Sequence, residues 1–198
     1  MAYPTVSAPY GLVPVNRIDG MPYAGATRQI PIAASYATAI FYGDTVKLDT
    51  SGFLVADTGT NNATPVGVLV GCQYVNSSGQ KVQGQYYPAS ASTATNYAMA
   101  YVIDDPMVAF KVAVVSTGTT MATVGRAVVG ANMALVQNTG STVTGDSNVA
   151  VLSTSAATTN TLPVRVIDVV PETATGADAF AEVIVKINTH QYNSTTGI

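Results

Sequence analysis

Valine, isoleucine and threonine supply 63 of the 198 residues (28, 9 and 26), whereas leucine, lysine and glutamate contribute only 7, 4 and 2. Two heavy atoms on Cβ restrict the side chain against a preceding helical turn but fit a pleated surface. A chain so poor in straight-chain helix formers is expected to be all-β, a β-barrel or β-sandwich body with at most one short helix. Seventeen glycines and ten prolines break its apolar segments at intervals suited to short strands. At this length roughly 70% of the extended-chain surface is buried on folding, so a core forms without disulfides or metals.

Residues 1–38 differ from the rest. Pro4, Pro9, Pro14, Pro22 and Pro31 alternate with Tyr3, Tyr10, Tyr23 and Tyr36, and Arg17 and Arg28 are half of all the arginines. Prolines fix φ and remove ladder donors, so the segment is expected to be an extended arm that forms no central strand. Its tyrosines and Ile30-Pro31-Ile32 carry apolar surface that a solvated tail does not need. The expectation is an arm ordered on a neighbouring subunit, with a β body that folds without it.

From Ala39 onward, strands and turns alternate, read as a first β module over 39–115 and a second over 116–198, or as one compact domain over 39–198. Thr45-Val46-Lys47-Leu48, the turn Asp49-Thr50-Ser51-Gly52 and Phe53-Leu54-Val55-Ala56 predict a hairpin. Pro65 to Cys72 reads as a buried strand and Lys81 to Tyr87 as a polar one. Ala98 to Ile103 and Met107 to Val115, flanking Asp104-Asp105-Pro106, predict a second hairpin. Met121, Val124, Val128, Ala131 and Leu135 recur at helical spacing, which predicts a short helix despite Gly125 and Gly130. Further strands are expected at 149–152, 163–170 and 181–188.

Charged residues make up only 10% of the chain and the net charge is −3, so the footprint that a phosphate backbone requires is missing and nucleic acid is not an expected partner. The longest apolar run, Met107 to Val115, is interrupted by Lys111 and falls short of the ~20 residues that span a bilayer. No secretory leader is read at the start, so synthesis in a cytoplasm and no membrane partner are expected. One cysteine, Cys72, and one histidine, His190, leave no set for a zinc site, and Cys72 is expected to be a buried small hydrophobe. A lone histidine near the C-terminus is expected to be a surface or interface group and not a catalytic base. Asp104-Asp105-Pro106 is a turn before it is an acid pair, and no phosphate-cradling loop is present. Neither enzyme activity nor a cofactor is expected, although an oxygen-ligand calcium site stays open.

Several segments together resemble the capsid decoration, or cement, proteins of tailed bacteriophages. They are Tyr10-Gly11-Leu12-Val13-Pro14-Val15 through Tyr23 to Ile32, then Ile40 to Leu48 with Pro65-Val66-Gly67-Val68. To these add Val143-Thr144-Gly145-Asp146-Ser147, Leu162 to Ile167, and Val183 to Gln191. The resemblance implies a small all-β head protein on the outer surface of the virion, commonly a homotrimer. Its partner would be the major capsid protein of the same phage, and its effect would be to stabilise the shell across capsomer boundaries. In that setting Tyr3, Tyr10 and Tyr23 are expected to supply contact area, Arg17 and Arg28 planar hydrogen-bond forks, and His190 and Tyr192 further interface contacts. The competing class is a phage receptor-binding or fibre-type β domain that holds host carbohydrate on exposed loops.

Overall fold

The computed structural model describes residues 8–92, 97–171 and 180–197. In chain order its strands are β1 (Val13–Arg17), β2 (Arg28–Ile32), β3 (Thr45–Leu48), β4 (Leu54–Ala56), β5 (Gly67–Val75), β6 (Lys81–Gly84) and β7 (Ala98–Ile103). Then come β8 (Val108–Thr117), β9 (Thr120–Met121), β10 (Asn132–Met133), β11 (Leu135–Val136), β12 (Ala150–Leu152), β13 (Val164–Val169) and β14 (Glu182–Ile187). The only helical elements among the described residues are three 3-10 turns of three residues each, at Arg126–Val128, Ser153–Ser155 and Gln191–Asn193. The molecule is all-β, with one sheet curled into a nearly closed barrel beside a second sheet.

One sheet runs β2-β7-β5-β3-β4, with β6 also on β5, and its end strands β2 and β4 come together. Inside it lie Ile30, Ile32, Ile40, Val46, Leu54, Leu69, Tyr87, Ala98, Ala100 and Val102. The other runs β10-β13-β14-β8-β12-β11, with β1 and β9 also on β8. Its axis is β8, whose residues 108–115 are buried save for Lys111, as a strand covered on both faces must be. Val68 and Ile103, paired across β5 and β7, face the core of this second sheet while their strand neighbours Leu69 and Val102 face the first. That alternation is the two-residue period of a strand serving two cores at once.

The predicted hairpin at 45–56 is present as β3 and β4, and 163–170 with 181–188 form the β13–β14 pair. Two expectations are corrected. Both β7 and β8 form, but β7 pairs with β2 and β5 while β8 pairs with β1, β14, β12 and β9. Asp104-Asp105-Pro106 reverses the chain and also hands it from one sheet to the other. In place of the predicted helix over 120–135 stand β9, a single 3-10 turn, β10 and the start of β11. Gly130, at φ +87°, breaks any helical path there.

The proline-rich segment is extended, as expected, but it is built into the body. β1 lies along β8 and β2 along β7, each as an edge strand, and Pro14 sits next to a bulge between Pro14 and Asn16, both tolerated places for a residue without N–H. Leu12, Ile30 and Ile32 are buried in the two cores. Between them and β3 the chain threads a narrow gap, with the Leu12 amide donating to the Gly43 carbonyl at 2.9 Å and the Gly11 amide to that of Val149 at 3.1 Å. Gly11, at φ +81°, passes so close that a Cβ there would lie 2.6 Å from the Ser147 Cβ. In the folded chain the segment thus contributes to both cores.

Candidate functional site

The connection from β7 to β8 gathers the polar residues that the sequence singles out. Asp104 and Asp105 leave the end of β7 side by side, and each takes one arginine from the N-terminal strands. The Arg28 Nε lies 2.9 Å from the Asp104 Oδ2, and the Arg17 Nη1 is paired with the Asp105 Oδ2. Asp19 closes on the other side of Arg17, with Nε to Oδ1 at 3.1 Å. This pairing holds the Asp19 carboxyl down to about 2, below the usual carboxylate value. The two guanidinium forks thus engage carboxylates of their own chain.

The C-terminal turn completes the cluster. The Arg28 guanidinium stacks over the Tyr192 ring at 5.0 Å, a cation–π distance. The Tyr192 ring lies 5.3 Å from that of His190. Tyr192 stays 43% exposed while His190 is only 1% exposed. The expectation of a surface histidine is therefore corrected. Its Nδ1 accepts the Tyr192 amide at 3.2 Å and caps the last 3-10 turn, and the Asp104 and Val66 backbones lie against the ring. Burial holds the imidazole below its ordinary value, with the Asp104 and Asp105 carboxylates pulling the other way. Tyr23, half-buried, packs on the core of the β8 sheet.

Tyr10 belongs to a separate cluster. Its hydroxyl donates to the Glu182 Oε1 on β14, and the Lys111 Nζ of β8 lies 3.4 Å from the same oxygen and 5.6 Å from the Tyr10 ring centre. Burial and the neighbouring carboxylate push the Tyr10 phenol well above its ordinary value. This latch ties the start of the chain to the middle of the β8 sheet. Tyr3 lies outside the described residues.

A second polar region lies between the β3–β4 hairpin and residues 137–142, as a groove of about 300 Å³ that includes Asp44 and Asp57. Asp44 Oδ2 accepts the Phe41 amide at 2.8 Å, and burial pushes its carboxyl up to about 6 against the pull of that bond and of the Ser147 hydroxyl. Asp57 accepts the Gly59 and Thr64 amides at 3.1 and 2.8 Å, with the Lys47 Nζ at 3.8 Å. Both carboxylates are engaged in fixing loops, the usual work of a buried aspartate. Among the described residues no three His, Cys, Asp or Glu side chains come together as metal ligands. Cys72 is buried as expected, its thiol donating to the Tyr86 carbonyl at 3.1 Å and pushed up to about 12 by burial.

Sequence reading missed the apolar residues at the β7–β8 end. Ile18, Met21 and Met107 are 39%, 61% and 43% exposed, and the Ile18 amide donates to the Met107 carbonyl at 2.9 Å. The Asp19-Gly20 turn between Ile18 and Met21 was the available signal, because a turn at the end of a strand leaves its flanking residues outside the ladder. This end of the molecule therefore carries exposed apolar side chains beside a rim of internally paired charges and one tyrosine. A comparison of the chain with protein-family models, with curated proteins and with solved structures finds no match in any of the three.

Proposed function

We propose that the protein is a structural component of a tailed-bacteriophage head, a decoration protein that binds the outside of the assembled shell as a homotrimer and stabilises it across capsomer boundaries. The observation that carries this reading is the β7–β8 end, where Ile18, Met21 and Met107 are exposed next to Arg17–Asp105, Arg28–Asp104 and Tyr192. An apolar centre with a rim of paired charge and an aromatic side chain has the make-up of a protein-contact surface. The low charge of the chain supports the same reading, since weakly charged copies pack closely without mutual repulsion. The resemblance of the segments around Tyr10–Val15, Ile40–Leu48 and Val183–Gln191 supplies the head as the setting.

The test is addition of purified protein to empty phage heads, read by co-sedimentation. Saturable binding of the unmodified chain is expected. The double variant Ile18→Asp, Met21→Asp, which alters exposed residues outside both cores, is expected to bind at least tenfold more weakly, because each change places a charge in the contact. Equal binding by the variant would move the contact elsewhere, and no binding by either form would overturn the decoration reading. Capture of host-surface glycans by a chain that ignores heads would select the receptor-binding class.

A further inference from the structure

The short turn that follows β14 joins the two sheets through side-chain and loop-backbone hydrogen bonds and not through strand pairing. The Thr189 hydroxyl donates to the Ala63 carbonyl at 2.6 Å, and the Gln191 amide N–H donates to the Pro65 carbonyl at 3.0 Å. The Gln191 side chain then does what a neighbouring strand would do for Leu48. Its Oε1 accepts the Leu48 amide at 2.8 Å, and its Nε2 donates to the Leu48 carbonyl at 3.2 Å. β5 pairs with β3 only at Thr45 and Val46, so this amide takes over where that ladder stops. Residues 189–193 thus act as a strap from the β8 sheet to the β3 edge. A groove of about 460 Å³, lined by Thr64, Asn188, residues of the strap and the segment after it, runs beside the strap.

The last turn of the strap is capped by one buried nitrogen. His190 Nδ1 accepts the Tyr192 N–H, so the neutral ring must carry its proton on Nε2, which is buried and has no partner at hydrogen-bond geometry. A second proton on the ring turns Nδ1 from an acceptor into a donor facing a donor, in a site 99% removed from solvent. We propose that protonation of His190 releases residues 189–193 from Leu48, Ala63 and Pro65, so that the strap opens in mild acid while both sheets remain folded.

The charges around the ring decide whether an imidazolium would be stabilised in place instead. From the β7–β8 connection come Asp104 and Asp105, each already paired, with Arg28 of β2 and Arg17 of β1 respectively. From the strap itself comes Tyr192, whose ring is covered by Arg28. On the β3 side Lys47 is directed to Asp57. Asp19 also holds Arg17, so three aspartates stand against two arginines. The Asp104 and Asp105 carboxylates and the Asp104 and Val66 backbones favour an imidazolium, and burial outweighs them. A histidine held below its ordinary value contributes stability above about 6.5 that is lost as pH falls through that value towards the folded one.

Amide hydrogen exchange of the full chain tests this, read as protection factors so that the intrinsic pH dependence of exchange cancels. Protection at Leu48, Gln191 and Tyr192 is expected to fall by up to about tenfold per pH unit below about 6.5, while Phe110 and Val185 in the β8–β14 ladder keep theirs. His190→Asn offers an acceptor of the same reach that does not titrate, and is expected to hold the strap closed throughout. In the unmodified chain the His190 Cε1–H shift should titrate in the same window, which keeps the test independent of whether the variant folds. A ring that titrates without loss of protection at Leu48 would overturn the proposal. So would simultaneous loss at Leu48 and Phe110, or an unchanged acid response in His190→Asn.

Discussion

Gly67 opens β5 against the end of β7, where a Cβ would lie 2.2 Å from the Ile103 carbonyl oxygen and 2.8 Å from a Val102 methyl. Backbone cannot retreat as a side-chain tip can, so Gly67→Ala is expected to destabilise by about 1–3 kcal/mol, measured by chemical denaturation. Asp44 acts through pH. Its carboxyl is pushed up to about 6 in the fold from 3.8, so between those values the unfolded chain releases its proton first and stability falls as pH rises. The contribution is fully present below 3.8 and is lost by about pH 6. Asp44→Asn keeps an oxygen for the Phe41 amide and has no proton to lose. It is expected to be more stable than the parent at pH 7, by an amount on the order of 1–3 kcal/mol that shrinks to nothing near pH 4. An equal difference at pH 4 and pH 7, in urea melts, would show that ionisation of Asp44 is not the cause. At this scale the sequence marked residue types well and settings poorly. Arg17, Arg28 and Tyr192 were legible as interaction groups and do meet at Asp104–Asp105, but His190 is buried against Asp104 and Val66, distant in the chain, which no local pattern reports.

Elements were legible where the evidence for them is local. Thr45–Leu48 alternates, Asp49 accepts the Ser51 and Phe53 amides at 2.9 Å, and the β3–β4 hairpin follows. The pairing of β7 with β8 failed as an expectation because a turn signal fixes only that the chain reverses. Which strand becomes the neighbour is set by long-range burial, and β1 and β14 occupy the two edges of β8 over residues 109–111. The 120–135 segment misled for a related reason, since valine and alanine recurring among glycines mimic a helical stripe without favouring helix. The proline-rich start was read correctly as extended, and its place in the cores was not visible because β1 and β2 lack a clear alternation. Its weight is testable by deletion. Removing residues 1–30 takes away Leu12, β1 and most of β2, whose two fully lost core side chains alone stabilise by roughly 3–6 kcal/mol. That is comparable to the whole stability of many domains, so the deleted chain is expected to lose cooperative thermal unfolding by circular dichroism. A sharp transition in the deleted chain would restore the separable arm.

The two β sheets are tied together by the shared Val68–Ile103 pair and the Gln191 strap, while the Tyr10–Glu182–Lys111 latch holds the start of the chain to the β8 sheet. All three bring together residues distant in the chain, a pattern that slows folding. The proposed decoration role makes a thermodynamic demand that binding alone does not. A ligand that binds only the assembled shell must raise the temperature at which the shell comes apart, by an amount that grows with its free concentration. The direct measurement is calorimetry of empty heads titrated with purified protein. The disassembly transition is expected to move upward with added protein and to stop moving once sites on the shell are filled. A transition that stays at the same temperature while bound protein accumulates would contradict the decoration role.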